Sequence, residues 1–377
     1  MPLKTESPMD QKQRIVSLAE SGRFTITELA REFGVSRKSI HKWIDRHRAG
    51  GYPGLAERSR APLSQPGKTA TELEKLIVSE RRRRPTWGPK KIRQRLMREH
   101  GIDRPPATST IGDILKRNGL IEARRRRPGI FRIDRGDLTE ATKANEVWAT
   151  DFKGWFHLGD HSRCDPLTIS DLHSRYLIRI EALPQATGRW TMANFRLAFQ
   201  SYGLPERIRV DNGAPFASMG PGNLSKLSAW WVNLGIRVEF TRPGCPQDNG
   251  CHERMHRTMK AECCRPGSVN LAAQQQRFDR WKRDFNQERP HEALQMRYPA
   301  DLYQASNRTF DEGIKTTLYN PGAEVQRVNE SGAISVAGER VFVGEALAGM
   351  EVELRRSGKA DKITVYFANI LLGECSA

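Results

Sequence analysis

The segment from residue 145 to residue 286 alternates between strand and helix patterns, and this alternation constrains the fold more than any other feature. Three strands are predicted in succession, at Val147–Leu158, Asp165–Ser170 and Tyr176–Leu183. Helices are then predicted at Trp190–Tyr202, Leu224–Leu234, Asn249–Cys263 and Ala272–Asn286, with short strands at Arg207–Asp211 and Arg237–Thr241. Three sequential strands followed by helix–strand units predict a mixed α/β sheet.

Charge is distributed very unevenly along the chain. Residues 1–136 contain 32 Lys and Arg against 15 Asp and Glu, whereas the whole chain has a net charge of only +18. Nearly all of the excess positive charge therefore lies in front of a near-neutral body. This distribution is typical of a protein that binds nucleic acid. The alternative is a solvated basic face that only aids solubility.

Residues 11–48 contain patterns for three short helices. The second helix is predicted at Glu28–Phe33 with Thr27 as its cap, and Gly34 then makes a tight turn. Ser36 is predicted to cap a third helix with a basic outer face. Together these features predict a helix-turn-helix, with an ordinary three-helix domain as the alternative. The side chains predicted to face DNA are Ser36, Arg37, Lys38, Ser39 and Lys42.

A second helical module is predicted at 71–120. Pro89 stands near the first position of its central helix, where a missing N–H is harmless. Runs of four arginines flank the module at 81–84 and 124–127, and such blocks repel one another unless an anion neutralises them. The DNA-binding residues predicted for this module and the run after it are Thr110, Lys116, Arg124 and Arg125.

Three acidic residues of the middle segment occupy positions suited to a metal site. Asp151 lies on the first strand, Asp211 ends a later strand, and Glu253 lies near the start of a helix. Acids at these positions can converge at one edge of a sheet. Mg²⁺ prefers such oxygen ligands, and two ions can assist an in-line phosphoryl displacement. Taken singly, each acid has an ordinary alternative, either pairing with an arginine or complementing a helix dipole.

Five ordered motifs resemble insertion-sequence transposases of the DDE transposase and retroviral integrase superfamily. They are Trp148-Ala149-Thr150-Asp151, Asp171-Leu172-His173-Ser174-Arg175-Tyr176, Val210-Asp211-Asn212-Gly213, Pro246-Gln247-Asp248-Asn249-Gly250-Cys251-His252-Glu253 and Arg289-Pro290-His291-Glu292-Ala293-Leu294. The resemblance covers about 145–303. It implies a ribonuclease H-like fold and Mg²⁺-dependent cleavage and strand transfer of transposon ends, with Mn²⁺ as a substitute metal.

The resemblance also assigns residue roles. Asp151 would bridge two metal ions, while Asp211 and Glu253 would each complete one. Lys260, two helical turns after Glu253, is similar to a lysine that contacts DNA beside the family's active site, and Arg257 is a second candidate. Asp211 and Glu253 are 42 positions apart, more than is usual in the family, and 219–223 is interpreted as the extra loop. The partners implied are transposon ends, target DNA and further copies of the chain in a dimer or larger assembly.

Two other functions compete with this one. His252, Glu253 and His256 match HExxH, the signature of zinc metalloproteases, and Cys251, Cys263 and Cys264 lie close to them in sequence. The basic residues of the same helix favour a DNA site instead. The other alternative is a DNA-binding regulator with an inactive catalytic fold, against which the complete acid triad argues.

The chain is therefore expected to have several domains. We predict a helix-turn-helix domain at 1–50, a linker at 51–70, a second helix-turn-helix domain at 71–121 and a basic linker at 122–144. The catalytic core follows at 145–303, and five short strands after Tyr319 predict a small C-terminal β-barrel at 304–377. Six cysteines without regular spacing indicate a reducing compartment, and no apolar run is long enough for a membrane span. We expect a bacterial cytoplasmic protein associated with the nucleoid.

Overall fold

The computed structural model describes residues 7–57, 67–121, 138–311, 319–336, 338–356 and 362–376. Arg124 and Arg125, both predicted to bind DNA, lie outside the described residues. The chain divides into two compact units, Met1–Lys68 and Thr69–Ala377. Within the described ranges, no helix is both long and apolar enough to cross a membrane.

The first unit is a helix-turn-helix. Its helices are α1 (Pro8–Glu20), α2 (Ile26–Glu32) and α3 (Arg37–Gly54). As predicted, Ser36 caps α3, because its Oγ accepts a hydrogen bond from Ser39 N at 3.1 Å. The predicted cap of α2 is wrong. Thr25 takes that place instead of Thr27, since Thr25 and Glu28 form a reciprocal capping box in which each side chain accepts from the other's backbone N–H.

The second helical module belongs to the larger unit. It consists of α4 (Thr71–Arg83), α5 (Pro89–Arg98) and α6 (Thr108–Arg117), and Pro89 is the first residue of α5 as predicted. Ile77, Trp87, Ile92 and Ile111 are among the buried side chains that hold the three helices together. The apolar period of about 3.6 residues in each helix produces this common core.

A mixed sheet forms the centre of the larger unit. Its strands are β1 (Val147–Phe152), β2 (Phe156–His157), β3 (Arg163–Asp171), β4 (Leu177–Leu183), β5 (Arg207–Val210) and β6 (Arg237–Phe240). The main order is β4-β3-β1-β5-β6, in which β4, β3 and β1 are antiparallel neighbours and β1, β5 and β6 are parallel. This confirms the predicted mixed sheet. Its strand order is that of the ribonuclease H-like fold.

Four helices complete this core, and they are α7 (Gly188–Tyr202), α8 (Lys226–Asn233), α9 (Gly250–Cys263) and α10 (Leu271–Gln287). One predicted strand is too long, because β1 ends at Phe152 and the chain turns at Gly154, whose φ of 81° departs from strand geometry. Trp231 is fully buried and Trp230 packs against the same cluster.

The C-terminal barrel is not confirmed. The strands are β7 (Glu324–Arg327), β8 (Ala333–Val336), β9 (Glu339–Phe342), β10 (Glu351–Arg356), β11 (Lys362–Phe367) and β12 (Ile370–Ser376). Those described form a sheet of order β12-β11-β10-β7 and a separate β8-β9 pair, and neither closes on itself. Their apolar face instead packs with Leu224, Ala229 and Val232 at α8. The core that contains the mixed sheet therefore covers the apolar side chains that the inside of a barrel would have buried.

Candidate active site

Three elements bring the predicted acids to one place. Asp151 lies on β1, directly beside the parallel strand β5, and Asp211 follows the last residue of β5. Glu253 lies in the first turn of α9. All three line one open cleft of about 370 Å³, together with the loop 241–245 and Asn249. Adjacent parallel strands end at the same sheet edge, which explains why Asp151 and Asp211 meet there.

The cleft accumulates negative charge around Asp151. Its side chain is 28% exposed, whereas Asp211 and Glu253 are open to solvent. Burial, followed by the nearby charges of Asp211 and Glu253, raises the pKa of Asp151 to about 7. Like charges and desolvation both disfavour the ionised form. The three carboxylates therefore concentrate negative charge in the cleft.

The donor atoms in the cleft fit a hard divalent cation. Three carboxylates supply oxygen ligands, and Asn249 Oδ1 adds a buried oxygen with no hydrogen-bond partner. Asn249 caps α9, yet its side chain makes no capping bond. Mg²⁺ selects such oxygen atoms. In the part of the chain that is described, no three His, Cys, Asp or Glu side chains converge closely enough to hold an ion as they stand.

An ion pair fixes the loop at the rim of the cleft. Asp248 accepts hydrogen bonds from Arg242 N and Nε, at 3.1 and 3.0 Å, and from Arg242 Nη2 at 2.7 Å. These bonds lower the pKa of Asp248. The carboxylate of Asp248 is therefore used in holding the loop that ends beside Glu253.

The two histidines of the HExxH pattern lie beneath the cleft. His252 Nε2 and His256 Nε2 each lie 2.6 Å from Thr168 Oγ1 on β3, and Thr168 Oγ1 donates to the backbone oxygen of Asp151 at 3.1 Å. Ser170 Oγ lies 3.0 Å from His252 Nδ1. Burial lowers the pKa of His252 to about 3, so its imidazole is neutral.

This arrangement does not match a protease site. Since Thr168 gives its proton to Asp151 O, its hydroxyl can accept from both imidazoles, which makes each histidine an Nε2–H donor. Glu253, the would-be general base, is exposed on the acid cleft while both rings are packed against β3. The motif is explained by a buried polar network that supports the strand carrying Asp151.

Two other acids have structural partners. Asp171 is fully buried and accepts hydrogen bonds from Asn145 N at 2.8 Å and from Ser174 N at 2.7 Å, so it braces a turn. Asp165 pairs with Arg163 at 2.6 Å. Neither acid lines the acid cleft.

The predicted DNA-binding residues are spread over three surfaces. Lys260 and Arg257 are exposed on α9, the helix that carries Glu253. On the first unit, Ser36, Arg37, Lys38 and Lys42 are exposed and Ser39 is half-buried. On α6, Lys116 is exposed, whereas Thr110 is half-buried.

Thr168, His252 and His256 were not predicted as a unit. A signal was present, because His252, Met255, His256 and Met259 recur at helical spacing and all four are buried on one face of α9. That apolar stripe identifies the buried face, but it does not reveal that a threonine on another element receives both rings.

Family models match both the N-terminal helical segment and the segment that contains the cleft. Residues 141–246 and 234–299 each match the family described as Integrase core domain. Residues 11–62 match a Helix-turn-helix domain, and residues 39–115 match a Homeodomain-like domain. All three acids lie within the integrase-core matches.

Two relatives come from insertion elements. The uncharacterized 31.7 kDa protein of insertion element IS407 from Burkholderia multivorans is 26% identical over 192 residues, which cover 51% of this chain and 66% of the relative, just under two thirds. The uncharacterized 39.2 kDa protein of insertion element IS476 from Xanthomonas euvesicatoria is 24% identical over 305 residues, covering 79% of this chain and 83% of the relative.

Solved structures give weaker likenesses. The HTLV-2 integrase catalytic core in complex with magnesium, in its dimeric form, is 15% identical with a TM-score of 0.35, covering 44% of this chain and all of that one. A simian T-cell lymphotropic virus intasome in complex with the PP2A regulatory subunit B56 gamma is 15% identical with a TM-score of 0.39, and the match covers 79% of this chain and 97% of that one. The assignment of the core fold therefore rests on its strand order and on the family matches.

Proposed function

Because the chain belongs to the insertion-sequence transposases of the retroviral integrase superfamily, we propose that it cleaves transposon ends and joins them to target DNA. The single observation that carries this proposal is the cleft in which Asp151, Asp211 and Glu253 lie together. The raised pKa of Asp151 supports it, since like-charge repulsion of this kind is relieved by divalent cations.

The reaction proceeds as two displacements at phosphorus. Water attacks a phosphodiester at the transposon end, which breaks the P–O3′ bond and leaves a 3′-OH on the end and a 5′-phosphate on the flanking strand. That 3′-OH then attacks a phosphodiester of target DNA, joins to the target 5′-phosphate and displaces a target 3′-OH. Asp151, Asp211 and Glu253 would hold Mg²⁺, or Mn²⁺ in its place. When bound, the metal supplies activation of the attacking oxygen and stabilisation of the leaving oxygen. No covalent protein–DNA bond is required.

The protein's own residues position the substrates. Asp151 lies on the sheet, where Thr168 holds its backbone oxygen, and Glu253 lies on a helix whose start is fixed by the Arg242–Asp248 pair. Lys260 and Arg257, exposed on α9, would bind phosphates of the strand being cut. Phosphate contacts of this kind set register and orientation on the DNA.

Recognition of the transposon end is assigned to the helix-turn-helix modules. Ser36, Arg37, Lys38, Ser39 and Lys42 on the first module would read the terminal inverted repeat, with Thr110 and Lys116 on the second. Arg124 and Arg125 would bind phosphates between the second module and the core. We further propose the domain division 1–50, 71–121, 145–303 and 304–377, with linkers between the first three. Two ends must be held together, so a dimer or larger assembly on DNA is expected.

End cleavage tests the proposal. Wild type and the variants Asp151→Asn, Asp211→Asn and Glu253→Gln are incubated with duplexes that carry the element's own ends, in Mg²⁺ or in EDTA. We expect nicking by the wild type in Mg²⁺ alone, and full binding but no nicking by each variant. If the wild type binds authentic ends and leaves them intact in Mg²⁺, the chain is a DNA-binding regulator instead.

A further inference from the structure

A second, basic pocket lies between the second helical module and the core. Its volume is about 240 Å³, and we define it by the cationic and imidazole side chains that line it, Lys91, Arg175, His252, Arg254, Arg289 and His291. Lys91 comes from α5, Arg254 from α9, and Arg289 and His291 from the segment after α10. Among the described lining residues, Lys91 alone comes from α5, so α5 adds one cation to a pocket that the core otherwise lines.

Ion pairs hold α5 in that place. Arg98 Nη1 and Asp301 Oδ2 lie 2.5 Å apart, Arg95 Nη1 and Glu288 Oε2 lie 3.1 Å apart, and Lys90 pairs with Glu292. Because these contacts join the helical module to the core within one compact unit, Lys91 is held at a fixed position in the pocket wall.

Acids do not balance the positive charge of the pocket. Of its two acidic side chains, Asp171 is occupied by the turn at Ser174, and Glu292 is paired with Lys90, which is not in the pocket. Arg289 is paired with Glu262 at 2.8 Å. Within the residues that the structure describes, Lys91, Arg175 and Arg254 form no ion pair.

One further feature, the burial of Lys91 beside Arg289, points to a missing anion. Burial and the neighbouring Arg289 lower the pKa of Lys91 to about 8, which means that its charge is held at a cost to the folded protein. His291 Nε2 is buried with no hydrogen-bond partner in the described chain. Burial lowers the pKa of His291 to about 3 and its other ring nitrogen bonds the Phe285 backbone, so the neutral ring presents Nε2 as an acceptor and does not itself bind an anion.

We propose that the basic pocket binds a phosphodiester of the DNA strand whose neighbouring phosphate lies in the acid cleft. Guanidinium and ammonium groups are the usual partners of phosphate oxygens. The first turns of α9 separate the two sites, because Glu253 lines the acid cleft and the next residue, Arg254, lines the basic pocket. The two sites therefore adjoin at the start of α9. The inference rests on the proposed function and gives the segment Arg289–Leu294 a role in it.

The test locates the phosphate by neutralising one linkage at a time. End duplexes with single methylphosphonates are bound by wild-type protein, Lys91→Gln and Arg254→Gln, with Arg283→Gln as a control for an exposed cation of the core. We expect one linkage, close to the cleavage site, whose neutralisation weakens wild-type and Arg283→Gln binding by about tenfold. The same change should weaken binding by Lys91→Gln or Arg254→Gln by less than about twofold, because the charge partner is already gone. Arg254 is exposed, so its variant keeps the test valid if Lys91→Gln does not fold.

Inorganic phosphate, added without DNA, tests whether the pocket binds a free anion instead of a phosphodiester of DNA. If it protects wild type against thermal unfolding at millimolar concentration and methylphosphonate effects are identical in all variants, the pocket binds a free anion and the proposal is overturned. Identical effects without such protection overturn it as well. Both variants retain the three acids of the cleft. If the basic-pocket proposal fails while the protein still cleaves ends, the proposed function remains intact. If the wild type cannot cleave ends, the proposed function itself is wrong.

Discussion

Replacing Asp151 by Asn should make the protein more stable while abolishing its activity. The pKa of Asp151 is raised from 3.8 to about 7, first by burial and then by Asp211 and Glu253. A pKa difference of this size corresponds to about 4 kcal/mol of unfolding free energy. This value is an upper limit for the gain from Asp151→Asn, because part of the side chain remains in water. Asparagine removes the charge and keeps the shape. Active sites commonly retain such unfavourable charge for function.

The sign of the pH dependence follows from the direction of the shift. A carboxyl group whose pKa is higher in the folded chain binds its proton more tightly there, so stability falls as the pH rises. The advantage of Asn should therefore be under about 1 kcal/mol near pH 4, grow up to about pH 7 and then level off. Mg²⁺ should stabilise wild type at pH 8, because the three acids bind it only when the protein is folded. It should stabilise Asp151→Asn much less.

Urea denaturation of both proteins at pH 4.5 and pH 8, with and without Mg²⁺, measures these differences. Asp248→Asn is a control for which the change in unfolding free energy should have the opposite sign. Arg242 lowers the pKa of Asp248, so removing the charge of this carboxylate should destabilise the protein at pH 8. If Asp151→Asn gives no gain at pH 8, or the same gain at both pH values, the account of charge repulsion in the cleft is wrong.

Three other changes test separate parts of the structure. Thr168→Val should slow strand transfer without weakening DNA binding, because it frees the Asp151 backbone oxygen and leaves two imidazoles unpaired, whereas Thr168→Ser should restore the rate in a single-turnover assay. Glu80→Gln should lower the unfolding free energy by about 3 kcal/mol in chemical denaturation, since Glu80 is buried against Arg95 at 3.1 Å; an unchanged value would contradict this. Lys42→Gln should reduce the slope of log binding constant against log salt by about one, and an unchanged slope would remove Lys42 from the DNA interface.

The central sheet was predictable because its signals are local. Strands and helices alternate in hydrophobic period, and the order of elements leaves few ways to arrange them. Asp211 follows a strand directly and Glu253 begins a helix, so their placement at one sheet edge followed from the order of elements. The bounds were less certain, as β1 illustrates, where a glycine ends the strand earlier than its apolar pattern suggests.

Contacts between distant segments could not be read in the same way. The strands after Tyr319 were expected to close into a barrel, but their apolar face is covered by α8, which lies about a hundred residues earlier. Both the partners of His252 on β3 and the docking of Lys91 beside Arg289 depend on packing between elements. Periodicity identifies which side of a helix is buried without specifying what lies against it.

Joining of a pre-cleaved transposon end to plasmid DNA tests the central claim most directly, because it isolates one displacement at phosphorus. A labelled duplex with a free 3′-OH is incubated with plasmid, Mg²⁺ and either wild type or a variant in which Asp151, Asp211 or Glu253 is replaced by its amide. We predict joined product with wild type and none with any variant at equal DNA occupancy. Joining by wild type in EDTA, or by all three variants at the wild-type rate, would contradict a metal-dependent site built from these acids.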